Sequence, residues 1–340
     1  MNSIGRRTFS FGTGLLAATV LGTSAFPRRA RAAAEFALRF GHGFPASHPL
    51  NVRAVEAASR IKDESKGRVT IDLFPDSQLG GDSDLLTQLR SGAVDLFSTG
   101  GLILSTLVKV ASINGMGFIF SDYDKVWAAM DGDVGKLIRD GFEKANLHAF
   151  KAWDNGFRQT TTSTRPIRTP ADFQNVKMRV PVSPIYVSLF KALGASPTSI
   201  NLGETYSALQ TRIADGQENP LIVVDTTKFW EVQKFVSLTD HIWDGSWILC
   251  NGDIWQSLPP DLQEIVTRNF DKSGLDERAD IAKLNASLAD TMAKRGLAVN
   301  KVDPAPFRDK LRQAGFYADW KKQHGDTAFG TLEQYVGKLS

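Results

Sequence analysis

Apolar and polar positions alternate between two periods in the first part of the chain beyond residue 34. Ala37–Phe40 is a short β-prone run that ends in the turn Gly41-His42-Gly43-Phe44-Pro45. From His48 to about Glu64, Val52, Val55, Ala58 and Ile61 recur every three positions, which predicts a helix burying that face. Gly67 ends it, and Val69–Phe74 follows as a β-rich run stopped by Pro75. Asp82 or Ser83 is placed to cap a helix bearing Leu85, Leu86 and Leu89 and closed by Gly92, before a strand at Val94–Phe97. Strands separated by helices of this length predict βαβ units and a parallel sheet. Such sheets bind ligands at the carboxyl ends of their strands. A second block starts near Trp153, with strands expected at Leu147–Trp153, Val176–Val180 and Phe235–Leu238. Pro259-Pro260 then opens a helical pattern running to about Lys294. At 1.5 Å per residue it is about 50 Å long, enough to lie across two lobes. No repeat, low-complexity tract or flexible linker separates the blocks, so short crossing segments are expected to join them.

The first 34 residues have another character. Arg6-Arg7-x-Phe9 precedes an apolar stretch to about Phe26 that is diluted by Gly12, Gly14 and Gly22, and Ala30-Arg31-Ala32-Ala33-Ala34 offers small-residue cleavage positions. The stretch is too short and broken to span a bilayer comfortably. The arginine pair reads as a twin-arginine export signal, and Arg28, Arg29 and Arg31 behind the apolar run fit that route. A retained amphipathic anchor is the weaker alternative. Removing this segment takes away five arginines and no acids, leaving 35 basic residues against 37 acidic ones. The basic balance of the precursor therefore belongs to the signal and is no argument for nucleic-acid binding. Cys250 is the single cysteine, so no internal disulfide is possible, and a small buried hydrophobe is the expected role.

Candidate chemistry is sparse. On Val176-Lys177-Met178-Arg179-Val180-Pro181, alternation puts Val176, Met178 and Val180 on one face and Lys177 and Arg179 on the other. Pro181 stops the ladder and leaves Arg179 at the strand's carboxyl end. A guanidinium there can grip a carboxylate with two parallel hydrogen bonds, although a surface ion pair explains the spacing equally well. In Asp215-Gly216-Gln217-Glu218-Asn219-Pro220, Asn219 can donate and accept, but a plain turn is the stronger reading of Asp-Gly and Asn-Pro. It also explains the near-paired carboxylates Asp215 and Glu218. Trp153-Asp154-Asn155-Gly156-Phe157-Arg158 offers a second strand-end arginine. Trp153, Trp243 and Trp247 are core or cleft walls. The five histidines are scattered, and none forms a metal pair. His42 and His48 can meet at the first turn, where loop or capping roles are the ordinary ones. Gly41-x-Gly43 lacks the third glycine of a dinucleotide fingerprint, and no phosphate-binding loop is present.

Taken in order, these segments resemble the DctP-type solute receptors of TRAP uptake systems across nearly the whole chain beyond the signal. The stretches that carry the resemblance are Ser47-His48-Pro49; Phe74-Pro75-Asp76-Ser77-Gln78-Leu79-Gly80; Gly92-Ala93-Val94-Asp95-Leu96; Gly156-Phe157-Arg158; Arg165-Pro166-Ile167; Lys177-Met178-Arg179-Val180-Pro181; Glu204 to Thr211; Asp215 to Pro220; and Val232 to His241. Each is weak alone; the ordered series is specific.

The resemblance implies an α/β, two-lobed periplasmic binding-protein fold with a ligand cleft between the lobes and a long helix spanning both. The expected division is residues 1–34 as signal, 35–156 plus 245–284 as lobe I, and 157–244 plus 285–340 as lobe II. It implies a periplasmic, monomeric, cofactor-free receptor that closes on an organic acid and delivers it to a TRAP membrane permease. Arg179 would hold the ligand carboxylate, Asn219 would help position it, and Arg158 would add a second contact. His48, Trp153 and Trp243 are further candidates for the cleft. Leu202 stands where the family often has a phenylalanine against the ligand, and Arg212 where it usually has glycine. A periplasmic enzyme acting on a small organic acid is the alternative, and no catalytic motif favours it.

Overall fold

The computed structural model describes residues 34–339. The arginine pair and the rest of residues 1–33 lie outside it. Eleven strands form one continuous mixed sheet: β1 (Phe36–His42), β2 (Val69–Phe74), β3 (Leu96–Gly100), β4 (Leu147–Ala149), β5 (Trp153–Thr162), β6 (Lys177–Val180), β7 (Ser196–Ser199), β8 (Gly216–Pro220), β9 (Phe235–Leu238), β10 (Trp243–Asn251) and β11 (Ala298–Lys301). The spatial order is β2-β1-β3-β10-β5-β8-β6-β7, with β4 added to β10 and β9 joining β5 to β11. Helices cover both faces and give two hydrophobic clusters, one around Leu86, Ile138 and Phe190 and the other around Ala57, Phe270 and Ile281.

The parallel βαβ expectation holds at both ends of the sheet, where β1 pairs in parallel with β2 and β3, and β6 with β7 and β8. It fails in the middle. There β10 runs antiparallel to β3, β4 and β5, and β5 antiparallel to β8 and β9. β5 and β10 are the crossing segments that knit the two halves together. They carry no clean apolar–polar alternation because nearly every residue in them is buried, and in β5 most of the buried residues are polar. The single strand expected over Leu147–Trp153 is accordingly two, β4 ending at Ala149 and β5 starting at Trp153. The turn expected at Asp215–Pro220 is overturned as well. Residues 216–220 form β8, buried throughout between β5 and β6.

The first helix, Pro49–Glu64, buries a different face from the one its valines predict. Val52 and Val55 are 44% and 49% exposed, while Leu50, Ala54, Ala57, Ala58 and Ile61 are buried. A spacing of three drifts round a helix of 3.6 residues per turn, whereas the 50-54-57-61 row stays in line. Its alanines allow close approach to the long helix Pro260–Lys294. Arg60 ties the two together through Asn269 and Ser273, and Arg53 through Asp280 at 2.6 Å. The long helix starts with proline at its first position, where the missing N–H costs nothing. From there it packs on the first helix, β5, the helix Leu221–Thr226 and β11, reaching both halves of the sheet. Cys250 sits buried in β10 as a free thiol, which burial pushes above its ordinary pKa.

Candidate functional site

The middle of the sheet holds a small cavity of about 20 Å³. It is lined from one half by Phe44, Asp82, Thr99 and Asn155 and from the other by Arg158, Arg179, Leu202, Asn219 and Asp244. Arg179 and Asn219 lie in it because β6 and β8 are adjacent parallel strands ending at the same edge. Arg158 and Asn155 share it for a less obvious reason. They stand three apart on β5, and a flat strand would point them to opposite faces. Gly156, at φ +101°, bends β5 between them, and the register with β10 slips between Trp243 and Gly245. This bulge turns Arg158 back toward the cavity. A side chain at Gly156 would be strained by its φ and would meet Pro220 at 3.2 Å.

The two arginines have opposite surroundings. Arg158 is largely satisfied: its Nε donates to Glu218 Oε2 at 2.6 Å, its Nη2 to Glu218 Oε1 and Asn219 Oδ1, each at 2.9 Å, and its Nη1 to Asp244 Oδ2 at 3.2 Å. Tyr186 donates its hydroxyl to the same Asp244 oxygen at 2.9 Å, and His241 Nε2 lies 2.9 Å from Glu218 Oε2. Burial opposes charge on Glu218, yet Arg158 and the His241 hydrogen bond outweigh it and hold the carboxyl below its usual range. Burial likewise works against the Arg158 charge, and Glu218 more than compensates, raising its pKa. On Asp244 burial wins and the carboxyl is pushed up despite Arg158.

Arg179 is 1% exposed and has no carboxylate against it. Its Nε and Nη2 both donate to the Ile200 carbonyl, at 2.8 and 2.6 Å, while Nη1 is buried without a partner. Burial pulls its pKa down to about 10, with Glu218 opposing and Arg158 reinforcing the fall. Asp82, the first residue of the helix Asp82–Ser91, accepts from Thr99 at 3.1 Å rather than pairing with Arg179, and burial raises its pKa. A buried guanidinium with open donors, fixed by a backbone carbonyl, is a preformed grip for an anion.

The other sequence candidates are placed as follows. Leu202 is a wall of the cavity and also of an adjoining outer hollow of about 290 Å³ near Tyr206 and Lys228. His48 lies behind the cavity: its Nδ1 accepts from the Leu50 N–H at 3.2 Å as a helix cap, and its ring stacks on Phe44 at 4.6 Å. Burial drives its pKa down to about 3, so it stays neutral. Trp153 and Trp243 do not line the cavity. The first packs on Gly274 of the long helix, and the second donates its indole N–H to Asp154 at 2.9 Å within the core. Sequence reasoning missed Glu218, Asp244, Tyr186 and Asp82 as site residues, and weighed Asp82 only as a helix cap. Glu218 was legible only as part of a turn, and Asp244, between tryptophans, carries no local signal. Among the described residues no group of His, Cys, Asp and Glu is placed to hold a metal ion. No described helix is long and apolar enough to cross a membrane.

Residues 40–322 match the family described as bacterial extracellular solute-binding protein, family 7 (DctP). The 2,3-diketo-L-gulonate-binding periplasmic protein of Escherichia coli K12 is 31% identical over 293 residues, covering 86% of this chain and 89% of that protein. A TRAP periplasmic solute-binding protein from Ralstonia eutropha H16, solved with bound (S)-2-acetolactate, superposes with a TM-score of 0.84 at 30% identity, over 88% of this chain and 98% of the other. A second, from Sulfurospirillum deleyianum with bound succinate, gives 0.83 at 28% identity, over 89% of this chain and 99% of the other.

Proposed function

The chain belongs to the DctP family of bacterial extracellular solute-binding proteins, and from that premise we propose that Arg179 is the anchor of its ligand's carboxylate. A protein of this family is a periplasmic, non-catalytic component of TRAP transport, and binds a small organic acid. The observation that carries the finer assignment is the buried, unpartnered Nη1 of Arg179 at the cavity wall. A buried donor without a partner is costly, and a carboxylate would satisfy it with charge-assisted hydrogen bonds. Asn219 and Arg158 act beside it in different ways. Asn219 accepts from Arg158 and donates to Gln217 at 2.6 Å, so its orientation is fixed before ligand arrives. Arg158, held by Glu218 and Asp244, lends positive potential and at most one remaining donor. Leu202 closes one wall, and His48 supports Phe44 from behind.

The proposed lobes are residues 35–156 plus 245–284 and 157–244 plus 285–340, with the cavity between them. Export through the twin-arginine route, followed by loading onto a TRAP membrane permease, completes the proposal. Titration calorimetry against a library of organic acids tests the anchor. The native protein should bind at least one acid, and Arg179→Ala should weaken that binding by about 3 kcal/mol, the usual cost of breaking a buried charge contact, with unchanged circular dichroism. Undiminished affinity in Arg179→Ala would place the carboxylate elsewhere.

A further inference from the structure

The polar groups facing the cavity are unequal in kind. Its open donors belong chiefly to Arg179, because the donors of Arg158 are largely taken by Glu218, Asn219 and Asp244. Acceptors are more plentiful. Asp82 accepts from Thr99 and lies beside the Leu202 backbone N–H, Asn155 Oδ1 is buried without a partner, and Asp244, held at one oxygen by Arg158 and Tyr186, receives at the other the distant Leu102 N–H at 3.4 Å. Charge tells the same story. Arg158 and Arg179 stand against Asp82, Glu218 and Asp244, so the site is already short of positive charge before any anion enters. One incoming carboxylate has Arg179 to meet. A second would find no free cation and would lie near Asp82 or Asp244 in a desolvated space, where like charges repel strongly.

We infer that the ligand is a monocarboxylate whose remaining groups are hydrogen-bond donors, hydroxyl or ammonium, and that Asp82 is the residue that excludes dicarboxylates. The inference rests on Arg179 as the carboxylate anchor and narrows the acid class that the anchor admits. Asp82 suits the role by position. It comes from the helix Asp82–Ser91 in one half of the molecule, while Arg179 comes from β6 in the other, and both line the same small cavity, close enough to feel one another's charge. Its placement also depends on a close seam. A Cβ on the neighbouring Gly81 would stand 3.0 Å from the Asn201 amide, and Ser83 donates to Asn201 across the same seam at 3.4 Å.

The test is calorimetry on the whole secreted chain with matched acids of four and six carbons. The four-carbon set is 2,3,4-trihydroxybutanoate, threonine, butanoate, succinate and tartrate; the six-carbon set is gluconate, adipate and galactarate. The expected order places a hydroxylated or amino monocarboxylate first, with every dicarboxylate weaker by about a hundredfold, as an unpaired buried charge implies. Butanoate, which has the carboxylate but no donors, should also fall behind. Which of trihydroxybutanoate and threonine binds better separates hydroxyl from ammonium recognition. In Asp82→Asn, which keeps a partner for Thr99, the preference over succinate should shrink at least tenfold. Dicarboxylates binding as well as monocarboxylates, or an unchanged preference in Asp82→Asn, would overturn the inference while leaving the Arg179 anchor intact. Failure of every acid in both sets would overturn the anchor itself.

Discussion

Arg158 and Arg179 are the same residue type, equally buried and lining one cavity, yet they do different work because of what touches them. Arg158 belongs to a closed network with Glu218, Asp244, Tyr186 and His241. Removing one member of a buried ion pair costs more than the pair itself contributes, because a desolvated charge is left behind. Glu218→Leu is therefore expected to lower unfolding stability by about 3 kcal/mol, read from urea denaturation. Adding Arg158→Met should return much of that loss, since the uncompensated charge goes with it. An equally unstable double variant would show that Glu218 acts through β8 packing and not through Arg158. Arg179, by contrast, takes its fixed position from a backbone carbonyl, so its loss should be felt in binding far more than in stability.

Among elements, β5 and the long helix Pro260–Lys294 carry most of the construction. β5 spans both halves, bends at Gly156 to aim Arg158, and is covered by the long helix at Gly274. At this crossing two acids are buried together. The Asp154 N–H donates to Glu277 at 2.9 Å, Trp243 donates to the Asp154 side chain, and Asn285 donates to the nearby Tyr123 hydroxyl. Burial raises Asp154 to about 6, against hydrogen bonds from Trp243 and Tyr123, and lifts Glu277 well above its usual value, with Asp154 adding to the effect. Below pH about 4 the Asp154 carboxyl is protonated in both folded and unfolded chains. Between about 4 and about 6 only the folded chain keeps the proton, so stability falls as pH rises through that window, by roughly 3 kcal/mol for a shift of about two units. Asp154→Asn retains the acceptor for Trp243 and removes this contribution, so its melting temperature should gain on that of the native protein as pH rises from 4 to 6.5. His42 and His48, held neutral by burial at about 4 and about 3, add the opposite slope, stability lost as pH falls below about 6.5. Because that slope is common to both proteins, the difference between them reports Asp154 together with the part of the Glu277 shift that Asp154 causes.

At the scale of the whole molecule, the cavity exists only because two half-sheets share β5 and β10 at their centre. Residues of both halves line it, and Ser83–Asn201 and Ser105–Ser183 bridge them at 3.4 and 3.2 Å. The chain as a whole carries a net charge of +3, but residues 1–34 hold five arginines and no acids, so residues 35–340 alone are mildly acidic and offer no general field for anions. The proposed export route has a direct check. Replacing Arg6 and Arg7 together by lysine should leave uncleaved precursor in the cytoplasm, seen by fractionation and immunoblot. Undisturbed periplasmic delivery would point to another route.

What the sequence determined by itself was whatever depends on local order along the chain. The long helix from Pro260 to Lys294, the strands β2 and β9, and the strand that carries Arg179 follow from periodicity and proline placement, which neighbouring residues impose directly. Membership of the family was legible in the same way, as an ordered series of short motifs. The tertiary structure decided the rest, where the signal is not local. β5, β8 and β10 are buried on both faces, so the alternation that marks a strand is absent, and the Asp-Gly and Asn-Pro pairs around β8 imitate a turn. Trp153 and Trp243 carry aromatic surface that suits a cleft or a core equally, and only packing assigned them to the core. The open state of Arg179 and the largely satisfied state of Arg158 depend on Glu218 and Asp244 arriving from strands 60 and 86 residues farther along than Arg158. Pairings of that span are set by the sheet's order, which no stretch of sequence displays.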